Sequence, residues 1–248
     1  MKTILVTGGT GSLGRPTVQA LRAAGHTELR ILSRRPGTDH VHGDLTAGEG
    51  IAAALDGVST VVHLATSRKR GDVRQTENLL KHAKHVEHLI VISIVGVDRI
   101  PLPYYGDKLA LEHLVAESSI PYTLLRATQF HNLVDEVMTA QRFLPVLLAP
   151  SFKLQPVAVE DVADRLTELA AGPPSGRVKD LGGPEQLAVP AMARAWKQAK
   201  HSRRPVVPIR LPGKVMRAFS EGAAMTDPIQ PTTRTFADYL SQRYGVRA

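Results

Sequence analysis

Short runs of β-branched and aliphatic residues alternate with longer amphipathic stretches through the first half of the chain. The runs cover 3–7, 29–33, 60–65, 89–94 and 123–125, with a brief one at Val41 ahead of Gly43-Asp44. Between them, apolar positions recur at helical spacing over 13–24, 49–55, 73–84 and 108–118. Strands alternating with helices predict stacked βαβ units, and so an α/β, Rossmann-type, doubly wound parallel sheet. After Phe130 the pattern loosens. Residues 144–152 are bounded by prolines, 160–171 read as a helix with an acidic first turn, and Pro173-Pro174 and Gly182-Gly183-Pro184 isolate a short segment at 178–181. The last stretch carries Pro190, Pro205, Pro208, Pro212, Pro228 and Pro231 with short helices between them. No repeat or low-complexity tract interrupts the pattern. We expect a single domain over 1–248, with a sheet core at about 1–130 plus 154–182 and a small lobe from about 131–153 and 183–248.

The junction of the first strand and first helix holds the most specific chemistry. Thr7-Gly8-Gly9-Thr10-Gly11-Ser12-Leu13-Gly14 spaces Gly8, Gly11 and Gly14 three apart. In that context the first glycine turns the chain, the second lets backbone approach a pyrophosphate, and the third lets the helix pack on the strand; the helix N–H groups then face anionic oxygens. Gly8, Thr10, Gly11, Ser12, Leu13 and Gly14 are therefore candidate dinucleotide contacts. About twenty residues on, a site preferring NAD would place an acid at the end of strand two; this chain has Ser33-Arg34-Arg35. Guanidinium groups pair a 2′-phosphate in fork geometry, so NADP(H) is the expected cofactor ahead of NAD(H), with a solvated turn at Arg34-Arg35-Pro36-Gly37 as the bland reading. Gly43-Asp44-Leu45 follows the brief third strand, and Val62-His63-Leu64-Ala65-Thr66 closes the fourth at the same sheet edge. Asp44 either meets the adenine or caps a turn, and Ala65 is expected under the cofactor.

Composition narrows the class. The 31 Lys and Arg against 23 Asp and Glu leave a formal +8, but the clusters Arg34-Arg35, Arg68-Lys69-Arg70 and Arg203-Arg204 are small and have no interleaved aromatics. No nucleic-acid partner is expected. With no cysteine, thiolate catalysis and cysteine metal sites are excluded, and a reducing cytoplasm fits. The apolar runs are too short for an export signal or a bilayer span, so no membrane partner is expected. His82, His85 and His88 are spaced as metal ligands can be, yet no carboxylate set converges on them and no metal is expected.

Three further passages complete a resemblance: Val91-Ile92-Ser93-Ile94-Val95-Gly96, Tyr104-Tyr105-Gly106-Asp107-Lys108, and Leu124-Leu125-Arg126-Ala127-Thr128-Gln129-Phe130. With the glycine loop they resemble the short-chain dehydrogenase/reductase superfamily in its atypical NmrA-like branch of NAD(P)-binding proteins, over roughly 1–165. The resemblance implies Tyr104 as general acid to a carbonyl oxygen, Lys108 as its electrostatic partner and ribose contact, Ser93 as oxyanion support, and Thr128 and Phe130 beside the cofactor. The spacing suits that chemistry, because i, i+4 on a helix puts both side chains on one face and a tyrosine needs a nearby cation to act near neutral pH. The bland readings are packing for Tyr104 and Tyr105 and a surface Lys108–Glu112 pair. The chain departs from the family pattern at Asp72, where many relatives carry a catalytic asparagine, and at Arg126-Ala127-Thr128 in place of Arg-Pro-Gly. The implied activity is NADPH-dependent reduction of a carbonyl or related polarised small molecule, under a C-terminal substrate-capping lobe to which Phe130, His131, Leu144 and Phe152 contribute either lining or core. The alternative is an NADP(H)-binding sensor that does not turn the cofactor over. Neither the substrate nor the oligomeric state is legible.

Overall fold

A computed structural model describes residues 3–67, 71–226 and 232–245. In chain order the first elements are β1 (Thr3–Thr7), α1 (Gly14–Ala23), β2 (Leu29–Ser33), β3 (His40–His42), α2 (Ile51–Leu55), β4 (Val58–His63) and α3 (Asp72–His82). Then come β5 (His88–Ile94), α4 (Pro103–Glu117), β6 (Tyr122–Ala127), α5 (His131–Ala140), β7 (Leu147–Pro150), β8 (Lys153–Leu154) and α6 (Val159–Ala171). The chain ends with β9 (Gly176–Arg177), β10 (Leu187–Ala188), α7 (Val189–Ala199), β11 (Val206–Ile209), α8 (Lys214–Ser220) and α9 (Phe236–Tyr244).

Seven strands form one sheet in the order β3-β2-β1-β4-β5-β6-β9. β1 pairs in parallel with β2 on one side and β4 on the other, so successive crossovers run outward in opposite directions from that pair. This reversal is the topological switch point of a doubly wound sheet, outside whose carboxyl edge ligands bind. The central strands are Val-, Ile- and Leu-rich because helices cover them: Ile4, Leu5, Val6, Val61, Val62, Leu89, Ile90 and Val91 are all buried.

Contacts divide the chain into two compact units. One, residues 1–93, 102–126 and 162–179, holds the large sheet with a core that includes Leu5, Ile51, Leu55, Leu79, Leu89 and Leu111. The other, residues 94–101, 127–161 and 180–248, holds two small sheets, β11 parallel to β7 and β10 antiparallel to β8. Its core gathers Val134, Met138, Leu147, Met192, Trp196 and Phe236. Within it the carboxylate of Asp135 accepts from Trp196 Nε1 at 2.7 Å, Tyr239 at 2.8 Å and Tyr244 at 2.6 Å, which ties α5 to α7 and α9. Burial works against this carboxylate's charge, but the hydrogen bonds from Tyr244, Trp196, Tyr239 and Thr139 prevail and hold it below the usual carboxylate range.

Several element limits differ from the sequence expectation. β4 starts at Val58 and stops at His63, so Leu64-Ala65 belong to the loop at its carboxyl end. α4 begins at Pro103 rather than near 108, because proline at the first helical position loses no hydrogen bond and presets φ. The short segment after Pro173-Pro174 forms its strand at Gly176–Arg177, earlier than 178–181.

Candidate active site

The glycine loop is shaped by close approaches. Gly8 has φ +70°, and a Cβ there would stand 2.6 Å from Ala65 N and 2.7 Å from the Leu64 carbonyl, so only glycine lets the loop after β1 lie against the loop after β4. At Gly14 a Cβ would lie 2.1 Å from the Gly8 carbonyl oxygen, which lets α1 start directly against the loop. Gly11 N donates to Gly8 O at 2.9 Å and closes the turn. Thr10, Gly11 and Ser12 are exposed, Leu13 and Gly14 buried, and no side chain caps the first turn of α1. An open, uncapped helix start behind an exposed glycine turn fits the phosphates of a dinucleotide. Arg15, which the sequence reading did not single out, reaches back to the Thr10 carbonyl at 3.0 Å and adds a cation to this loop.

At the end of β2, the Arg34 side chain is 78% exposed and meets an acid, Asp44, only at 4.0 Å. Arg35 is exposed, its N–H donating to Ser33 Oγ at 3.1 Å. Asp44 Oδ1 accepts the N–H groups of Thr46 and Ala47 at 2.7 and 3.3 Å, which realises the turn-capping reading of this residue. Leu45 is buried in the core, and its carbonyl accepts from Asn78 Nδ2 at 2.8 Å.

The loop after β4 meets the candidate tyrosine and lysine of α4. Ala65 is partly buried against Gly8, and the exposed Thr66 bridges two groups through one hydroxyl: Thr66 Oγ1 lies 3.0 Å from Tyr104 Oη and donates to Asp72 Oδ2 at 2.8 Å. The same Oδ2 is 2.9 Å from Lys108 Nζ, and both of those side chains are buried. Asp72 Oδ1 also accepts the Ser67 N–H. Tyr104 and Lys108 therefore share a face of α4, joined through Thr66 and Asp72 rather than directly. Neither member of the alternative Lys108–Glu112 pair is free for it. Glu112 takes Arg126 in a buried two-pronged bridge of 2.9 and 2.6 Å, which ties α4 to β6. Ser93, at the carboxyl end of β5, is 4% exposed, and its Oγ has no hydrogen-bond partner among the described residues. A buried hydroxyl left without a partner is a group available to a ligand.

Behind this set runs a second chain. Thr76 Oγ1 donates to the Asp72 carbonyl at 2.8 Å, so it accepts from His63 Nε2 at 3.2 Å, and His63 Nδ1 accepts from Thr7 Oγ1 at 2.7 Å. Thr7 Oγ1 in turn accepts the Ala65 N–H at 3.3 Å. These directions assign the proton of neutral His63 to Nε2. Burial, with the Lys108 cation nearby, pushes His63 down to about 4 despite the opposing pull of Asp72, so the ring is neutral near pH 7. Thr7, His63 and Thr76 thus hold β1, β4 and the start of α3 in register beneath the site. Their spacing of 56 and 13 residues leaves no local signal in the sequence.

Thr128 and Phe130 belong to the second unit. Thr128 is buried, its N–H donating to Leu181 O at 3.0 Å and its hydroxyl to the Gln155 carbonyl. Phe130 is half-buried and precedes α5. Of the lobe residues read as lining or core, His131 is core: it bonds the Pro156 carbonyl at 3.1 Å and packs on Phe236 and Tyr239. Phe152 stacks on Phe219 at 5.0 Å, and Leu144 is exposed. His85 bonds the Leu55 carbonyl at 2.9 Å and His88 the Thr123 hydroxyl at 2.7 Å, so the histidine triplet is divided among separate partners. Arg68, Lys69 and Arg70 lie outside the described residues.

The switch-point sheet, glycine loop and adjoining polar cluster define a dinucleotide-binding protein. Residues 8–173 match the family described as NAD(P)H-binding, and the chain belongs to that family. It is 29% identical over 164 residues to a photosystem II assembly factor Ycf39 of Trieres chinensis, covering 58% of this chain and 50% of that protein. It is 26% identical over 226 residues to a chloroplastic divinyl chlorophyllide a 8-vinyl-reductase of Oryza sativa subsp. indica, covering 76% of this chain and 56% of that one. The chain thus spans about half the length of these curated relatives. In fold it is similar to the NADPH-dependent quinone oxidoreductase of Escherichia coli crystallised with NADPH, at TM-score 0.82 and 21% identity over 98% of this chain and 100% of that one. A triphenylmethane reductase of Citrobacter sp. superposes with TM-score 0.81 at 18% identity over 98% and 100%. Among the described residues, no helix is long and apolar enough to cross a membrane.

Proposed function

We propose that this chain is a cytoplasmic, NADPH-dependent reductase of a carbonyl or related polarised small molecule, in the NmrA-like branch of the short-chain dehydrogenase/reductases. The observation that carries the reading is the joining of the glycine loop to the Tyr104 cluster through two neighbouring residues, Ala65 against Gly8 and Thr66 against Tyr104. Gly8, Gly11, Gly14 and the uncapped start of α1 hold the cofactor phosphates. Arg34 and Arg35 pair the 2′-phosphate, Asp44 and Leu45 border the adenine, and Ala65, Thr66 and Lys108 complete the part of the cofactor site that the large-sheet unit supplies. When bound, NADPH supplies a hydride. Tyr104 protonates the substrate oxygen, the Ser93 hydroxyl, which has no hydrogen-bond partner among the described residues, donates to that oxygen, and Lys108 steadies the charge around them. The assignment of NADPH to the E. coli quinone oxidoreductase and of NADP(H) to a triphenylmethane reductase complex supports the cofactor choice.

A second reading, a protein that binds NADP(H) without turnover, draws on the engagement of Lys108 by Asp72, which spends the lysine's charge away from Tyr104. The two separate in one experiment: NADPH consumption is followed with a panel of quinones, aldehydes and ketones, alongside a binding titration. Turnover above the protein-free rate supports the reductase; tight NADPH binding with no consumption across the panel overturns it in favour of the sensor.

A further inference from the structure

Among the described residues, the large hydrophobic side chains left exposed are Leu133, Val137, Phe143, Leu144, Val207 and Leu211, and all of them belong to the second unit. Most fall between 133 and 144. On α5, His131, Val134, Asp135 and Met138 are buried, while Leu133, Val137 and Ala140 recur at i, i+4 and i+7 along the exposed side. The chain continues in tight turns, Arg142 N donating to Thr139 O at 3.0 Å and Leu144 N to Gln141 O at 2.9 Å, and carries Phe143 out to 82% exposure. Val207 adjoins the same surface. It is the strand partner of Leu148, whose N–H and carbonyl are both held by the Gln141 side chain, at 2.8 and 3.2 Å. Exposed hydrophobics scattered singly need no explanation, whereas a gathered set marks a surface that something covers.

The rim of the patch indicates the occupant. The Arg142 guanidinium lies over the Phe143 ring, 4.3 Å from its centroid. Arg204 Nη1 donates to the Gln141 carbonyl at 2.6 Å, which brings the segment Lys200-His201-Ser202-Arg203-Arg204 against the turn. Between 133 and 144 the one exposed acid is Glu136. Cations beside an apolar helix face with an aromatic tip complement anionic headgroups over acyl chains. The same rim disfavours a second copy of the chain: a two-fold contact sets the patch against itself, so Arg142 and its basic neighbours would meet their own kind. The formal +8 adds to that repulsion and to the attraction of an anionic surface.

We propose that α5 and the turn after it form a docking surface for anionic lipid, with Val137, Phe143 and Leu144 entering the boundary between headgroups and acyl chains and Arg142 and Arg203 pairing lipid phosphates. The contact lies on the membrane without spanning it, which needs only one side of a short helix and a turn. Leu144, which the sequence offers as lining or core, is here a surface contact. The consequence is recruitment of the protein to a membrane surface, whatever chemistry the large-sheet unit performs.

The test is co-sedimentation with vesicles of phosphatidylcholine alone and of phosphatidylcholine with about one-third phosphatidylglycerol. Wild type is expected to bind the mixed vesicles at least about tenfold more strongly than the neutral ones, and less strongly as salt is raised. Replacing Phe143 and Leu144 together with serine should lower the partition coefficient at least about tenfold, and Arg142→Ala with Arg203→Ala should weaken binding to the mixed vesicles alone. All four side chains are exposed, so unchanged urea midpoints are expected. A second readout uses the absence of cysteine: Phe143→Cys accepts a single environment-sensitive label, whose emission should shift to the blue on mixed vesicles. Undiminished binding after the serine replacements reduces the effect to the general attraction of a basic protein and overturns the proposal. No binding of wild type to mixed vesicles, or a label that stays in water, also overturns it. A wild-type dimer in light scattering that the serine replacements split makes the patch an interface between copies and overturns the lipid reading.

Discussion

At the scale of single residues, the site depends on groups whose partners are far away in sequence. Tyr104 and Lys108 are legible because four-residue spacing on a helix is a local signal. Asp72 and Thr66, their actual partners, stand 36 and 38 residues from Lys108 and Tyr104. Only the fold brings α3 and the loop after β4 to α4, so the sequence shows Asp72 as a departure from a pattern and not as an ion-pair partner. His63 was equally hidden, and it carries a pH signature. Its folded-state value near 4 lies below the unfolded 6.5, so the unfolded chain takes up a proton that the folded chain refuses across that interval. Its effect on stability is absent above about pH 6.5 and grows as a penalty while pH falls toward 4, reaching on the order of 3 kcal/mol. Urea midpoints measured between those limits should fall with pH, and less steeply in His63→Gln. The proposed pairing of Arg34 and Arg35 with the 2′-phosphate makes a separate prediction: replacing both with alanine should cut the preference for NADPH over NADH, read as the ratio of the two dissociation constants, by at least about tenfold, as expected for lost charge-assisted pairing with a phosphate.

At the scale of elements, strands β1 and β2 coincide with the runs at 3–7 and 29–33, because each is an aliphatic stretch bounded by turn-forming residues. The glycine loop was similarly readable, and its steric basis is explicit: Gly14→Ala must push apart Gly8 and Gly9 backbone, with 2.1 Å to the nearest atom. That variant should lose NADPH binding and about 1–3 kcal/mol of stability. α4 starts earlier than the helical spacing predicts, since two tyrosines and a glycine after Pro103 weaken the helical pattern that the proline itself initiates. The pair that locks this helix to β6 gives a sharper prediction. Glu112→Ala leaves the Arg126 guanidinium buried without its two-pronged acceptor and should cost about 3–5 kcal/mol in urea unfolding.

At the scale of the whole molecule, the alternation of strands and helices in the first half identifies the large sheet, whereas the second unit was legible only as proline-rich segments and short helices. Its strands are two to four residues long and pair across long separations, β7 with β11 and β8 with β10, so no periodicity announces them. What organises that unit is the buried carboxylate of Asp135. Asp135→Ala leaves the Trp196, Tyr239 and Tyr244 donors without their acceptor and should cost on the order of 3 kcal/mol, seen as faster amide exchange in α7 and α9. On the proposed reading, Arg34 and Arg35 put two of the charges behind the +8 balance against the 2′-phosphate of the dinucleotide. The central claim, that this dinucleotide site performs reduction with a tyrosine as acid, is tested most directly by the NADPH consumption rate of wild type and Tyr104→Phe on the same quinone or carbonyl substrate. The account predicts a kcat lower by about 10²-fold or more in Tyr104→Phe with NADPH affinity retained. Equal rates in the two proteins would contradict it.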